Sequence, residues 1–244
     1  MAGEIHVEEG PFGPEVRPEG AAVEQTVLYL HGDPRLAGTP QDALPTARAL
    51  ARHTGYAVVC ARYRLRFPEA LEDVYAAWEH CHGRGPAAVA GKRLGGALAA
   101  GLLLRLRDDG AAPPSCAVLS SPVLDFTLDA SSLLLNAAAD RTVDAEALSV
   151  RAAAYAGPTP RTHPLLSPLH GNLHGLPPIQ LHAAGTEMLL DDTLSLATRA
   201  AHSGVEVDMR IYEDSSAQGL RQLEATAAFL RTWCSTGLVT PHRG

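Results

Sequence analysis

Arg93 is the residue of this sequence with the most chemistry to offer. It stands inside Gly91-Lys92-Arg93-Leu94-Gly95, a basic pair flanked by glycines four apart. A guanidinium is a permanent cation with five donors in a planar fork. At a concave site it binds a carbonyl, enolate or carboxylate, but it cannot give up a proton or attack. Asp33 and Glu187 are candidate carboxylates, either as a general acid/base pair or as counter-ions. A carboxylate next to an arginine is held ionised, which favours the counter-ion role. Lys92, the sole lysine of the chain, reads as a solvated charge or a local ion pair. His163, His170, His174 and His182 are candidate bases, although a lone histidine is more often a surface or satisfied residue. Cys60, Cys81, Cys116 and Cys234 lack C-x-x-C or zinc spacing and read as buried small hydrophobes. No metal site and no cofactor is expected. The Gly95-Gly96 pair lacks the G-x-G-x-x-G of a phosphate loop and reads as close helix packing.

Elements that would hold these residues follow from composition and rhythm. With 244 residues, 46% hydrophobic but only 5% aromatic, the chain suits one domain of helices laid on a sheet. Residues 4–19 read as two short edge strands joined by a turn. Apolar runs at 26–30, 57–61, 87–90, 115–119, 179–182 and 205–212 read as strands. Helical spacing separates them at about 42–53, 68–80, 94–107 and 191–203, with a last helix over about 220–234. The alternation predicts a mostly parallel α/β sheet with helices on both faces. Its site then lies at the carboxyl ends of the strands, in the loops after Leu30, Ala90, His182 and Tyr212. The rhythm fails after Pro122, and residues at about 123–175 are expected to form a cap inserted into the single domain. A net charge of -7 and scattered arginines argue against nucleic acid, and no apolar run is long enough to span a membrane. With no positive, apolar leader at Met1, a cytoplasmic protein is expected.

Several segments carry a family resemblance. Leu28-Tyr29-Leu30-His31-Gly32-Asp33-Pro34 matches LYLHGGG, and Arg62-Tyr63-Arg64-Leu65 with Phe67-Pro68 matches a shortened DYRLAPE...FP segment. Val89-Ala90-Gly91-Lys92-Arg93-Leu94-Gly95-Gly96 matches VAGDSAGG, and Glu187-Met188-Leu189-Leu190-Asp191 matches D/E-x-L-x-D. From roughly Pro18 to Trp233 the chain resembles the hormone-sensitive-lipase-like esterases. The resemblance implies an α/β-hydrolase fold with a small cap.

Departures from the family pattern fall where its chemistry sits. Arg93 takes the place of the elbow serine, whose hydroxyl a G-x-S-x-G turn exposes to substrate. Ala217 takes the place of the histidine, and Asp33 and Pro34 replace two glycines of the oxyanion turn. Proline has no N–H to donate, and a carboxylate repels a developing oxyanion. Only the acid position is kept, as Glu187. Arg62 and Lys92 each replace an aspartate of the family, so the charges of the region are rearranged. From these departures a non-hydrolytic member is expected, holding a largely apolar small molecule and catalysing cyclisation, cycloaddition, isomerisation or elimination. Arg93, Glu187 and Asp33 would be its catalytic residues, and His31, Arg35, Lys92, Leu94 and Ala217 would contact substrate. The composition resembles that of high-GC actinobacteria, which suggests natural-product biosynthesis. The alternatives are a catalytically inactive ligand receptor and, third, a residual hydrolase using water or a nucleophile not yet placed. A homodimer is left open.

Overall fold

The computed structural model describes residues 4–19, 25–33, 35–85 and 87–235, with residues 215–218 and 235 described by backbone alone. Eight strands form one sheet in the order β1-β2-β4-β3-β5-β6-β7-β8. β1 (Ile5–Gly10) and β2 (Gly13–Pro18) are the antiparallel edge hairpin, and β2 also runs antiparallel to β4 (Ala57–Cys60). The other pairings are parallel and join β3 (Thr26–Leu30), β4, β5 (Ala87–Lys92), β6 (Ala117–Ser120), β7 (Ile179–Ala184) and β8 (Val207–Tyr212). The order reverses around β3, so the carboxyl ends of β3 and β5 border the point where crossovers leave in opposite directions.

Strand residues alternate between two cores. Leu28, Leu30, Val89, Leu119 and Leu181 face α2 (Glu69–His82), α3 (Leu94–Asp108) and α6 (Leu190–His202). Val27, Tyr29, Ala88, Ala90 and Val118 face α1 (Leu44–Thr54) and α7 (Ser215–Ser235). Small strand residues on the second face, Ala88 and Ala90, leave room between the sheet and these two helices. α3 is apolar on nearly all sides and buried along most of its length, as a helix enclosed by sheet and neighbours can be.

The segment from Ser121 to Pro178, which holds the expected cap, contains α4 (Ser132–Leu135) and α5 (Ala145–Ala156). Leu148, Tyr155, Leu166 and Leu173 tie it into the main core. All four cysteines are free and buried, as their isolation in sequence predicts.

Candidate active site

The tight turn between β5 and α3 is where the site is built. Arg93 holds φ 53° and ψ -116°, a conformation few side chains adopt, and its N–H donates to the Ser120 carbonyl at 3.0 Å. Such a backbone costs about 1 to 3 kcal/mol and persists only where its surroundings dictate it. Here the surroundings are glycines in close contact. A Cβ on Gly95 would lie 2.0 Å from the Leu30 carbonyl oxygen, and one on Gly91 would lie 2.1 Å from that of Gly95. The first turn of α3 is thereby pressed against the ends of β3 and β5, and the residue at the turn is aimed at the loops beyond them.

Arg93 is 3% exposed and Glu187 2%. Nη2 of Arg93 donates to Oε1 of Glu187 at 3.2 Å, and Oε2 accepts from the Ala184 N–H at 3.2 Å. Nε and Nη1 of Arg93 have no partner. Two donors of a buried cation therefore remain uncommitted, an arrangement that costs free energy unless something else accepts from them. The loop carrying Glu187 is held from the segment after β6. Asn136 Nδ2 donates to the Glu187 carbonyl at 2.8 Å, and Asp140 Oδ2 accepts from the Met188 N–H at 2.9 Å. Burial pushes the Asp140 carboxyl up, but hydrogen bonds from Thr142 and Met188 and the nearby Arg93 outweigh it and hold the group below its usual range. Sequence reading missed Asn136 and Asp140, since neither sits in a periodic pattern or a motif.

The remaining expected residues are placed differently. Asp33 does not join Arg93: its Oδ1 accepts from the N–H groups of Arg35 and Ala37, both at 2.8 Å, and so serves its own turn. A carboxylate two residues from free N–H groups satisfies them at far less entropic cost than it could reach across the fold. His31 is buried and stacked on Tyr63, 4.4 Å between ring centres, and the Tyr63 hydroxyl donates to the His31 carbonyl. Burial holds its imidazole below the ordinary range, with the nearby backbone of Gly38 and Ala61 opposing. It is thus a neutral structural residue at neutral pH, with Nδ1 unpartnered. Leu94 is fully buried in the main core. Lys92 is exposed and lines a cavity on the α1/α7 face of the sheet. Arg62 pairs with Glu9 on the edge hairpin. Pro34 and the side chain of Ala217 lie outside the described residues.

Arg35 is exposed and borders a groove of about 830 Å³ whose lining includes Arg141, Arg151 and Met188, the neighbour of Glu187. The groove is thus rimmed by three arginines and by the carboxylates of Asp144 and Glu146. His182 is no base in waiting. It is fully buried, its ring nitrogens contact Tyr212 Oη at 3.0 Å and Gln180 Oε1 at 2.9 Å, and burial pushes its pKa down to about 4. Glu4, His6 and Glu19 form a group of metal-ligating types, all exposed on or beside the edge hairpin. Among the described residues no helix is long and apolar enough to cross a membrane.

Residues 27–216 match the model of a family described by its alpha/beta hydrolase fold. An acetyl-hydrolase of Streptomyces hygroscopicus is 34% identical over 88% of this chain and 78% of its own. An esterase of Acinetobacter venetianus is 29% identical over 83% of this chain and 70% of its own. Among solved structures, an esterase from the bacterial hormone-sensitive lipase family superposes with a TM-score of 0.89 at 31% identity, covering 96% of this chain and 87% of that one. These findings overturn the expectation of a cyclase, isomerase or lyase, and equally that of an inactive pseudo-esterase. The proteins that share most of this chain's length are named for ester hydrolysis. Of the four substituted positions behind that expectation, Arg93, Asp33, Pro34 and Ala217, Pro34 and the Ala217 side chain lie outside the described residues. By the span of the family match and by its structural neighbours, the chain belongs to the α/β-hydrolase-fold family, among the hormone-sensitive-lipase-like esterases.

Proposed function

We propose that this chain hydrolyses a short acyl ester, an acetyl ester first, and that Arg93 is its contact with the reacting carbonyl. The observation that carries this reading is the pair of uncommitted donors, Nε and Nη1, on a buried arginine at the elbow of the fold. As water adds to an ester carbonyl, negative charge grows on the carbonyl oxygen. Preformed cationic donors in a site that excludes water stabilise that charge without reorganising. Glu187 orients the guanidinium through Nη2, and Nε and Nη1, on different edges of the group, are each left as a single donor for substrate. The groove that borders Met188, next to Glu187 in sequence, is the approach we assign to the ester, and its lining carries both signs of charge, Arg35, Arg141 and Arg151 beside Asp144 and Glu146. The acetyl-hydrolase and esterase names of the relatives support the reaction class. Because the elbow residue carries no hydroxyl, the acyl group passes to water and not to residue 93.

The test is p-nitrophenyl acetate hydrolysis by the wild type and by Arg93→Ala, assayed below the melting temperature of both. Loss of an oxyanion donor lowers kcat about 100 to 1,000-fold, with a smaller change in KM. Arg93→Lys should recover part of the loss, since it keeps the charge but not the fork. A fluorophosphonate probe should label no serine. Turnover no faster than that of the unfolded chain, or equal turnover in Arg93→Ala, would overturn the reading. A stoichiometric serine adduct would replace water attack with a covalent route.

A further inference from the structure

The face of the sheet opposite the main core holds a second, separate cavity. Between the sheet and helices α1 and α7 lies an opening of about 420 Å³. Tyr29, Leu50, Val118 and Leu223 form apolar walls, while Lys92, Ser120, Gln222 and Thr226 gather polar groups. Sheet register explains the gathering. Lys92 of β5 stands opposite Ser120 of β6, which stands opposite His182 of β7, so the three lie in a row on one face. Gln222 Nε2 donates to Ser120 Oγ, which leaves the serine's own hydrogen to give away. Thr226 Oγ1 is 3.1 Å from His182 Nε2. His182 is neutral, so Lys92 supplies the positive charge of this row.

Lys92 makes no ion pair among the described residues, and no carboxylate is among those that line the cavity. The surrounding protein and the adjacent Arg93 together hold its ammonium below the usual range, with Glu187 opposing. An uncompensated cation and a free hydroxyl at one end, with an apolar recess beside them, make a site built for an amphiphile with a single negative charge.

We propose that this cavity binds a monocarboxylic acid with a medium-length acyl tail: the carboxylate accepts from Lys92 Nζ and Ser120 Oγ, and the tail lies between Tyr29, Leu50, Val118 and Leu223. The site is distinct from the Arg93–Glu187 pair and does not depend on its chemistry.

Because Lys92 is the sole lysine, its reactivity can be read residue by residue. The folded chain is treated with an amine-acetylating reagent in increasing octanoate, and acetylation of Lys92 and of the N-terminal amine is quantified by mass spectrometry. Octanoate should slow acetylation of Lys92 saturably and leave the N-terminal amine unchanged, whereas octanol should protect neither. Titration calorimetry with octanoate should show affinity about tenfold or more weaker in Lys92→Met, the loss of one charge-assisted hydrogen bond. Leu223→Trp, which fills the recess, should abolish protection while Lys92 remains. Absence of saturable protection, equal protection by octanol, or undiminished protection in Leu223→Trp would overturn the proposal.

Discussion

Substitution of Arg93 or Glu187 tests the buried pair directly. Their side chains are 4% and 3% exposed, so neither can turn to water without moving the elbow or the acid loop. Without Arg93, the Glu187 carboxylate keeps one contact in hand, the Ala184 N–H at 3.2 Å. Without Glu187, the guanidinium keeps none within its own side chain's reach among the described residues. Breaking such a pair from one side costs about 3 to 5 kcal/mol. For a domain of this size that lowers Tm by roughly 6 to 20 °C. Arg93→Ala and Glu187→Ala should each show this loss in thermal and urea unfolding. Replacing both partners by apolar residues of similar volume is about neutral or even stabilising. The double variant R93M/E187M should therefore be far more stable than the sum of its single changes would give, a departure from additivity on the order of several kcal/mol. Arg93→Gly adds a check, since glycine accepts φ 53° without strain. It should recover about 1 kcal/mol relative to Arg93→Ala once glycine's entropy cost is subtracted. Single variants within about 0.5 kcal/mol of wild type, with additive effects, would refute the reasoning. The pair would then be solvated, and its uncommitted donors would have no bearing on substrate.

Two further outcomes follow from buried groups elsewhere. Asp192 accepts from the Leu124 and Asp125 N–H groups at 2.7 and 3.1 Å, and burial raises its pKa to about 7 from 3.8. The folded chain thus binds a proton that the unfolded chain has lost, so stability should fall as pH rises from about 4 to about 7. Asp192→Asn should flatten that slope in urea midpoints measured across this range, and an unchanged slope would assign it to other groups. Gly95→Ala would place a methyl 2.0 Å from the Leu30 carbonyl oxygen and 2.5 Å from that of His31, so backbone must shift. It should destabilise the chain by more than Gly101→Ala, whose contact at 2.8 Å to the Leu165 carbonyl oxygen is looser. Equal melting temperatures for the two would contradict the close approach of α3 to β3.

Much of the scaffold was legible in the linear chain. Apolar runs ending in loops, alternating with helical spacing, identify the strands and helices, because a parallel sheet needs a crossover of about a dozen residues or more between neighbours. Gly95 and Gly96 could be read as close-packing positions, since only a missing side chain lets the helix approach so near. Isolated cysteines could be read as buried hydrophobes. The residue at the elbow, Arg93, was also fixed by local sequence alone. Its partner was not. Asp33 and Glu187 are the same chemical group at different ends of the chain, and only tertiary structure decides between them. Asp33 is consumed by N–H groups two and four residues away, while Glu187 is carried to the elbow by the β7 loop and locked by Asn136 and Asp140. Likewise, Lys92, Ser120 and His182 are far apart in sequence, and nothing local relates them. Parallel register sets them in one row, and the small residues of β5 leave a cavity above it, because strand neighbours are chosen by the packing of the whole sheet.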